Sequence, residues 1–156
     1  VGDQTLPKRA EMWAVAVSKF PDGLSAGHGF EVFWGAGPNS PSLRDAPGWI
    51  QRMPHAHNGY IDVILQTGLI GLGLLTAMLL TGLHLAGRVA AYAPGRALFY
   101  LSIILFCLAY NLLETMWFRA LSLKMILLVV VFVMMAREET ERHGLVRPLR
   151  DREVLE

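Results

Sequence analysis

The chain has 156 residues, 53% of them hydrophobic and 17% charged, with a formal net charge of +1. A mean hydropathy of +0.39 is too high for an ordinary soluble domain and points to a membrane protein, and the near-zero charge gives no basis for nucleic-acid binding. The single cysteine, Cys107, lies in an apolar run, which excludes an internal disulfide and a zinc site built on cysteines.

The first residues, Val1 to Lys8, form a polar lead-in. They have no basic region followed by an apolar core, so they are no signal peptide. The chain is expected to be the C-terminal part of a longer membrane protein and to be inactive by itself. Thr5 suits a helix cap and Pro7 a first turn. Arg9 to Phe20 then predicts a short amphipathic helix, ended by Pro21-Asp22-Gly23. Arg9 and Trp13 are four apart and share a face. The helix is expected to lie on the membrane surface with Trp13 as an interfacial anchor.

Gly23 to Met53 reads as a long loop. It holds Gly27, Gly29, Gly35, Gly37 and Gly48, with Pro38, Pro41 and Pro47. Phe30, Phe33, Trp34 and Trp49 are too many aromatics for a disordered segment, so the loop is expected to be functional, with its rings at headgroup depth. Pro54 to Gly68 carries His55, His57, Asn58 and Asp62 into the first spanning helix, Leu69 to Ala86. The segment Ile61 to Thr67 can extend that helix outward. Gly68, Gly71 and Gly73 are expected to permit close helix packing. His84 has no partner histidine or carboxylate near it in sequence and reads as an interfacial residue.

A short loop, Gly87 to Arg96, with two arginines precedes a second span, Ala97 to Leu113. Asn111 and Glu114 stand at its end. A third span, Ala120 to Ala136, contains Lys124, and Arg137 to Glu156 is a charged tail expected to be frayed or disordered. The predicted class is therefore an all-α membrane protein: about three transmembrane helices preceded by a long loop with a short amphipathic helix. The boundaries are 1–68, 69–136 and 137–156. The Arg88/Arg96 loop and the arginine-rich tail should be cytoplasmic. Three spans put both on one side and leave residues 1–68 and the Glu114–Arg119 turn on the other.

That topology gathers Arg9, His55, His57, Asn58, Asp62, Asn111, Glu114, Arg119 and Lys124 on one face. Ionisable residues at such depths are functional candidates. A histidine titrates near neutrality and can take a proton from a hydroxyl. Arginine presents a fork of donors suited to a diphosphate. Together they suit transfer from a lipid-linked diphosphate, the base activating the acceptor and the cations stabilising the departing group. The metal reading rests on His55-Ala-His57 with Asp62. It is weak, because i and i+2 on a helix do not share a face and no third ligand is evident. The alternative without catalysis is a membrane scaffold or transporter fragment in which Glu114 pairs with Lys124 or Arg119.

Several segments together resemble the O-antigen ligase / O-antigen polymerase superfamily, nearest its exopolysaccharide-polymerising branch. They are Arg9-Ala-Glu-Met-Trp13, Gly27-His-Gly-Phe30 with Phe33-Trp34, His55-Ala-His57-Asn58-Gly-Tyr60, Gln66-Thr-Gly68-Leu-Ile-Gly71 and Asn111-Leu-Leu-Glu114. The resemblance implies a multi-pass enzyme of the bacterial inner membrane: a metal-independent glycosyltransferase without cofactors, working at the periplasmic face. Its donor would be an undecaprenyl-diphosphate-linked glycan and its acceptor a growing glycan or lipid A-core. It assigns the base to His57 and diphosphate binding to Arg9. His55, Asn58, Glu114, Arg119 and Lys124 are added as substrate-binding candidates from their expected placement. The family has about a dozen spans, far more than this chain.

Overall fold

The computed structural model describes residues 5–35, 40, 43–117, 119 and 122–142. Among these, every regular element is helical: α1 (Leu6–Ser18), α2 (Val32–Gly35), α3 (Gly59–Ala90), α4 (Pro94–Leu113) and α5 (Leu123–Arg142), with short 3-10 turns at Pro21–Gly23 and Ile50–Arg52. The predicted all-α class therefore holds. Two helices, α3 and α4, are long and apolar enough to cross a membrane, and their most apolar stretches are only 39% and 28% buried. Leu74, Leu80, Leu98 and Phe106 are among the exposed side chains. The expected third span differs: α5 exists, but its apolar run stops at Ala136 and Arg137–Arg142 continue the same helix, so it is not among the helices that qualify. An apolar run of that length falls short of the ~20 residues that cross a hydrocarbon core.

The chain divides into two compact units, Val1–Ala77 with Leu108–Ala120, and Met78–Cys107 with Leu121–Glu156. In the first, Met12 and Ala16 of α1 pack with Phe33, Trp34, Leu43, Ile50, Ala56 and Leu65. This corrects one expectation. Phe33 and Trp34 are 1% and 5% exposed; they form the core rather than a headgroup-level belt, because burying a large ring carries a large apolar gain. Trp13 is half-buried, and its Nε1 donates to the Ala56 carbonyl at 2.7 Å, so it ties α1 to the histidine segment. Thr5 occupies the N-cap position of α1 without a side-chain capping bond. Gly37, Pro38 and Pro41 lie outside the described residues.

Helix α3 is broken once. Gly68 has φ 64° and ψ −162°, which no helix accommodates. The break orphans backbone groups on both sides, and one strip of loop serves four of them. Leu65 and Gln66 carbonyls accept the amides of His28 (2.7 Å) and Gly29 (3.1 Å). The amides of Leu69 and Ile70 donate to Leu24 (2.8 Å) and Ser25 (3.1 Å). Gly27, at φ 74°, lies so close to Gln66 and Thr67 that a Cβ would strike their backbone. Gly68 is thus a break, not a helix-packing surface, and Gly73 has nothing near it. The apolar helix begins at Leu69, as the sequence predicts, and Gly59–Thr67 is the outward extension.

In the second unit, Arg137–Arg142 are ordered helix. Glu138 accepts the Tyr100 hydroxyl at 2.6 Å and pairs with Arg96 at 3.2 Å, and Glu139 pairs with Arg88. Arg142 stacks over Tyr92 at 4.6 Å. The arginines of the α3–α4 turn find their acids here, which is why this segment does not fray. The rest of the tail, 143–156, lies outside the described residues.

Because both the left-handed φ and the neighbouring loop backbone exclude a side chain at position 68, Gly68→Ala is expected to cost about 2 kcal/mol or more. Thermal unfolding of the purified protein in detergent checks this. Gly73→Ala, in open space within a helix, should be neutral or slightly stabilising.

Candidate functional site

The site is built on the start of α3 and the end of α4. Asn58 caps α3: its Oδ1 accepts the amides of Tyr60 (3.1 Å) and Ile61 (3.2 Å). Its Nδ2 donates to the Leu112 carbonyl at 3.2 Å. The amide of Gly59 donates to the Glu114 carbonyl at 3.2 Å, and Arg9 Nη1 to the Leu113 carbonyl at 2.6 Å. The carbonyls that a helix C-terminus leaves unpaired thus stitch α4 to the His-Asn motif and to α1.

Capping by Asn58 leaves His57 just outside the helix, at φ 50°, a region few non-glycine residues occupy. Its Nδ1 donates to the Glu114 carboxylate at 3.1 and 3.2 Å. The neutral ring then offers Nε2 as its acceptor. Glu114 Oε1 also lies 3.8 Å from Arg9 Nη2. The side chains of Arg9 and His57 are only 16% and 14% exposed. Arg9 Nε is buried with no partner among the described residues.

His55 stands beside this group, its ring centroid 4.2 Å from that of His57. Its Nδ1 accepts the His57 amide at 3.2 Å, which leaves its proton on Nε2. Burial first, then the nearby His57 and the Arg119 and Arg9 charges, lower its pKa to about 4, against a smaller opposing pull from Glu114. It is neutral at pH 7.

Asp62 holds the assembly from beneath. Fully buried, it accepts Trp34 Nε1 at 2.7 Å, the Ala56 amide at 3.1 Å and the Thr115 hydroxyl. Beside it opens a cavity of about 390 Å³ lined by Glu31, Trp34, Arg52, His55, Gln66 and Arg119.

Of the residues singled out from sequence, Arg9, His55, His57 and Glu114 meet. Asn58 is present but both ends of its amide are used by the backbone, so its role is to cap. Arg119 lines the cavity. Lys124 belongs to the other unit, in the first turn of α5. Glu114 pairs with Arg9 and His57, rather than with the sequence neighbours Arg119 or Lys124. Asn111 is buried, and its Oδ1 accepts the amides of Met116 and Trp117. Sequence reasoning missed the cavity wall, Glu31, Arg52 and Gln66, whose relation to the histidines is purely three-dimensional.

The HxH segment is loop, not helix, so its two rings do face one site. His55, His57 and Glu114 bring ligand atoms within 4.8 Å of one another, supplying the third ligand that the sequence did not. Arg9 beside the carboxylate opposes a cation there, and His57 already spends Nδ1 on Glu114.

Comparison with protein-family models, curated proteins and solved structures found no match.

A base whose pKa is depressed in the fold binds fewer protons than the unfolded chain between the two values. His55 therefore costs stability as pH falls from about 6.5 to about 4. His55→Gln is expected to flatten that part of the stability-versus-pH curve, measured as the urea midpoint at successive pH values.

Proposed function

We propose that this chain carries the periplasmic active face of an inner-membrane glycosyltransferase that moves a glycan from an undecaprenyl-diphosphate carrier to a saccharide acceptor. The observation that carries the reading is the His57–Glu114–Arg9 cluster at the foot of an apolar helix. Glu114 fixes the tautomer of His57 and stabilises the imidazolium it becomes, as an orienting carboxylate does for any histidine base. Nε2 takes the proton of the acceptor hydroxyl as that oxygen attacks the anomeric carbon. The bond to the carrier breaks, and the departing diphosphate is met by Arg9, whose guanidinium lies beside the base. The resemblance in the sequence motifs favours polymerisation over ligation. The orientation follows from the arginines of the α3–α4 turn, expected on the cytoplasmic side.

A second reading has one observation in its favour. Arg9, Glu114 and His57 satisfy much of one another, as a purely structural cluster in a membrane scaffold would.

In the full-length protein, His57→Ala is expected to lower transfer by about 10²–10⁴-fold, while the protein stays in the membrane at normal level. Size-separated glycans probed for carrier-linked material check this. Loss of long polymer with single repeats remaining identifies a polymerase, and long chains accumulating on the carrier identify a ligase. An unchanged profile returns the cluster to the structural reading. Activity is expected to survive EDTA; loss restored by a divalent ion would reassign His55, His57 and Glu114 as metal ligands.

A further inference from the structure

We infer that the cavity beside His55 is the acceptor subsite and that it takes an acidic sugar, one bearing a carboxylate such as a uronate. The inference rests on the transferase reading above and names its substrate class.

Four observations carry it. The cavity, about 390 Å³, falls within the size range of small-ligand sites. Its wall holds two guanidinium groups, Arg52 and Arg119, and among the described residues neither forms an ion pair. Both residues are exposed, so the cations meet a ligand without prior burial. Opposite chemistry shares the same wall. Trp34 supplies an aromatic surface and Glu31 a carboxylate. Gln66 accepts the Glu31 amide through Oε1 at 3.3 Å, which leaves its Nε2 to donate. His55 lines the cavity, and its ring lies 4.2 Å from that of His57 at a tilt of 58°, so the cavity is one side chain away from the base.

The mixture decides between ligands. A bare diphosphate suits the arginines but is repelled by Glu31. A neutral sugar suits Trp34, Glu31 and Gln66 but leaves two cations unanswered. A sugar acid uses the cations and the polar wall together: its carboxylate meets the guanidinium forks, and its hydroxyls donate to Glu31 and accept from Gln66.

The test is binding to the full-length protein in detergent, followed by tryptophan fluorescence and by calorimetry, with trigalacturonate, neutral galactotriose and inorganic pyrophosphate as probes. Trigalacturonate is expected to bind at least tenfold more tightly than galactotriose. Arg52→Gln and Arg119→Gln should each weaken it at least fivefold, and Arg52→Lys should restore part of the loss. Equal binding of the acidic and neutral probes overturns the proposal, as does indifference to both arginine variants. Pyrophosphate binding at the cavity in place of trigalacturonate overturns it too and gives the cavity to the donor. The result is separable from the His57 experiment: a lost His57 effect with acid-selective binding intact removes the transferase reading, and the reverse pattern removes only the subsite.

Discussion

One buried carboxylate organises the site. Asp62 has no exposed surface, and an ionised group so placed is tolerable only if its oxygens are bonded. Its donors come from three distant segments: Trp34, Ala56 and Thr115. Each is next to a part of the candidate site. Ala56 lies between His55 and His57, Thr115 follows Glu114, and Trp34 walls the cavity. A single buried carboxyl group therefore fixes the two histidines, Glu114 and the pocket in one register, although they are far apart in the chain. Removing one of its donors would leave an under-satisfied charge, while removing Asp62 would leave three donors without an acceptor, and both are costly in an apolar interior.

The second constraint is the break at Gly68. Non-helical backbone inside a long apolar helix is tolerated only when other protein groups take up the freed amides and carbonyls. The segment 24–29 does this on both sides of the break. A loop that looks irregular by composition is thus bonded to the helix as tightly as a turn of helix would be. It also sets Gln66 and Glu31 next to each other across the cavity wall.

What could be read in the sequence was what depends on near neighbours. The apolar runs of α3 and α4 and the shared face of Arg9 and Trp13 follow from spacing along the chain, whereas Asn58 read as a substrate-binding residue and is a helix cap. Three-dimensional choices were not legible. Glu114 has Arg119 and Lys124 close by in sequence, yet takes its cation from Arg9, because the α4 carbonyls draw the guanidinium in. The loop aromatics carry no mark that separates a core ring from an interfacial one, and packing against α1 decides it. His55-Ala-His57 looked like a poor ligand pair because a helix would part its rings and no third ligand was evident; in a bent loop with a left-handed His57 the two rings meet, and Glu114 joins them. The charged segment after Ala136 gave no sign of order, because its partners Arg88 and Arg96 lie far back in the chain, at the end of α3 and the start of α4.

The geometry around Glu114 also bears on how the proposed reaction would be timed. The carboxylate divides itself between a hydrogen bond to His57 at 3.1 Å and a looser contact with Arg9 at 3.8 Å. A diphosphate, with more charge and a better match to the guanidinium fork, outcompetes one carboxylate oxygen for Arg9. In the proposed reaction, turning Arg9 to the donor would leave Glu114 to His57 alone, at the moment when an imidazolium must be stabilised. Arrival of the leaving group and arming of the base would then be one event. An acceptor hydroxyl waiting beside an unloaded site would meet a carboxylate still shared with Arg9. The arrangement that makes the cluster look structurally satisfied when empty is, on this argument, the same one that restrains the base until the donor is bound.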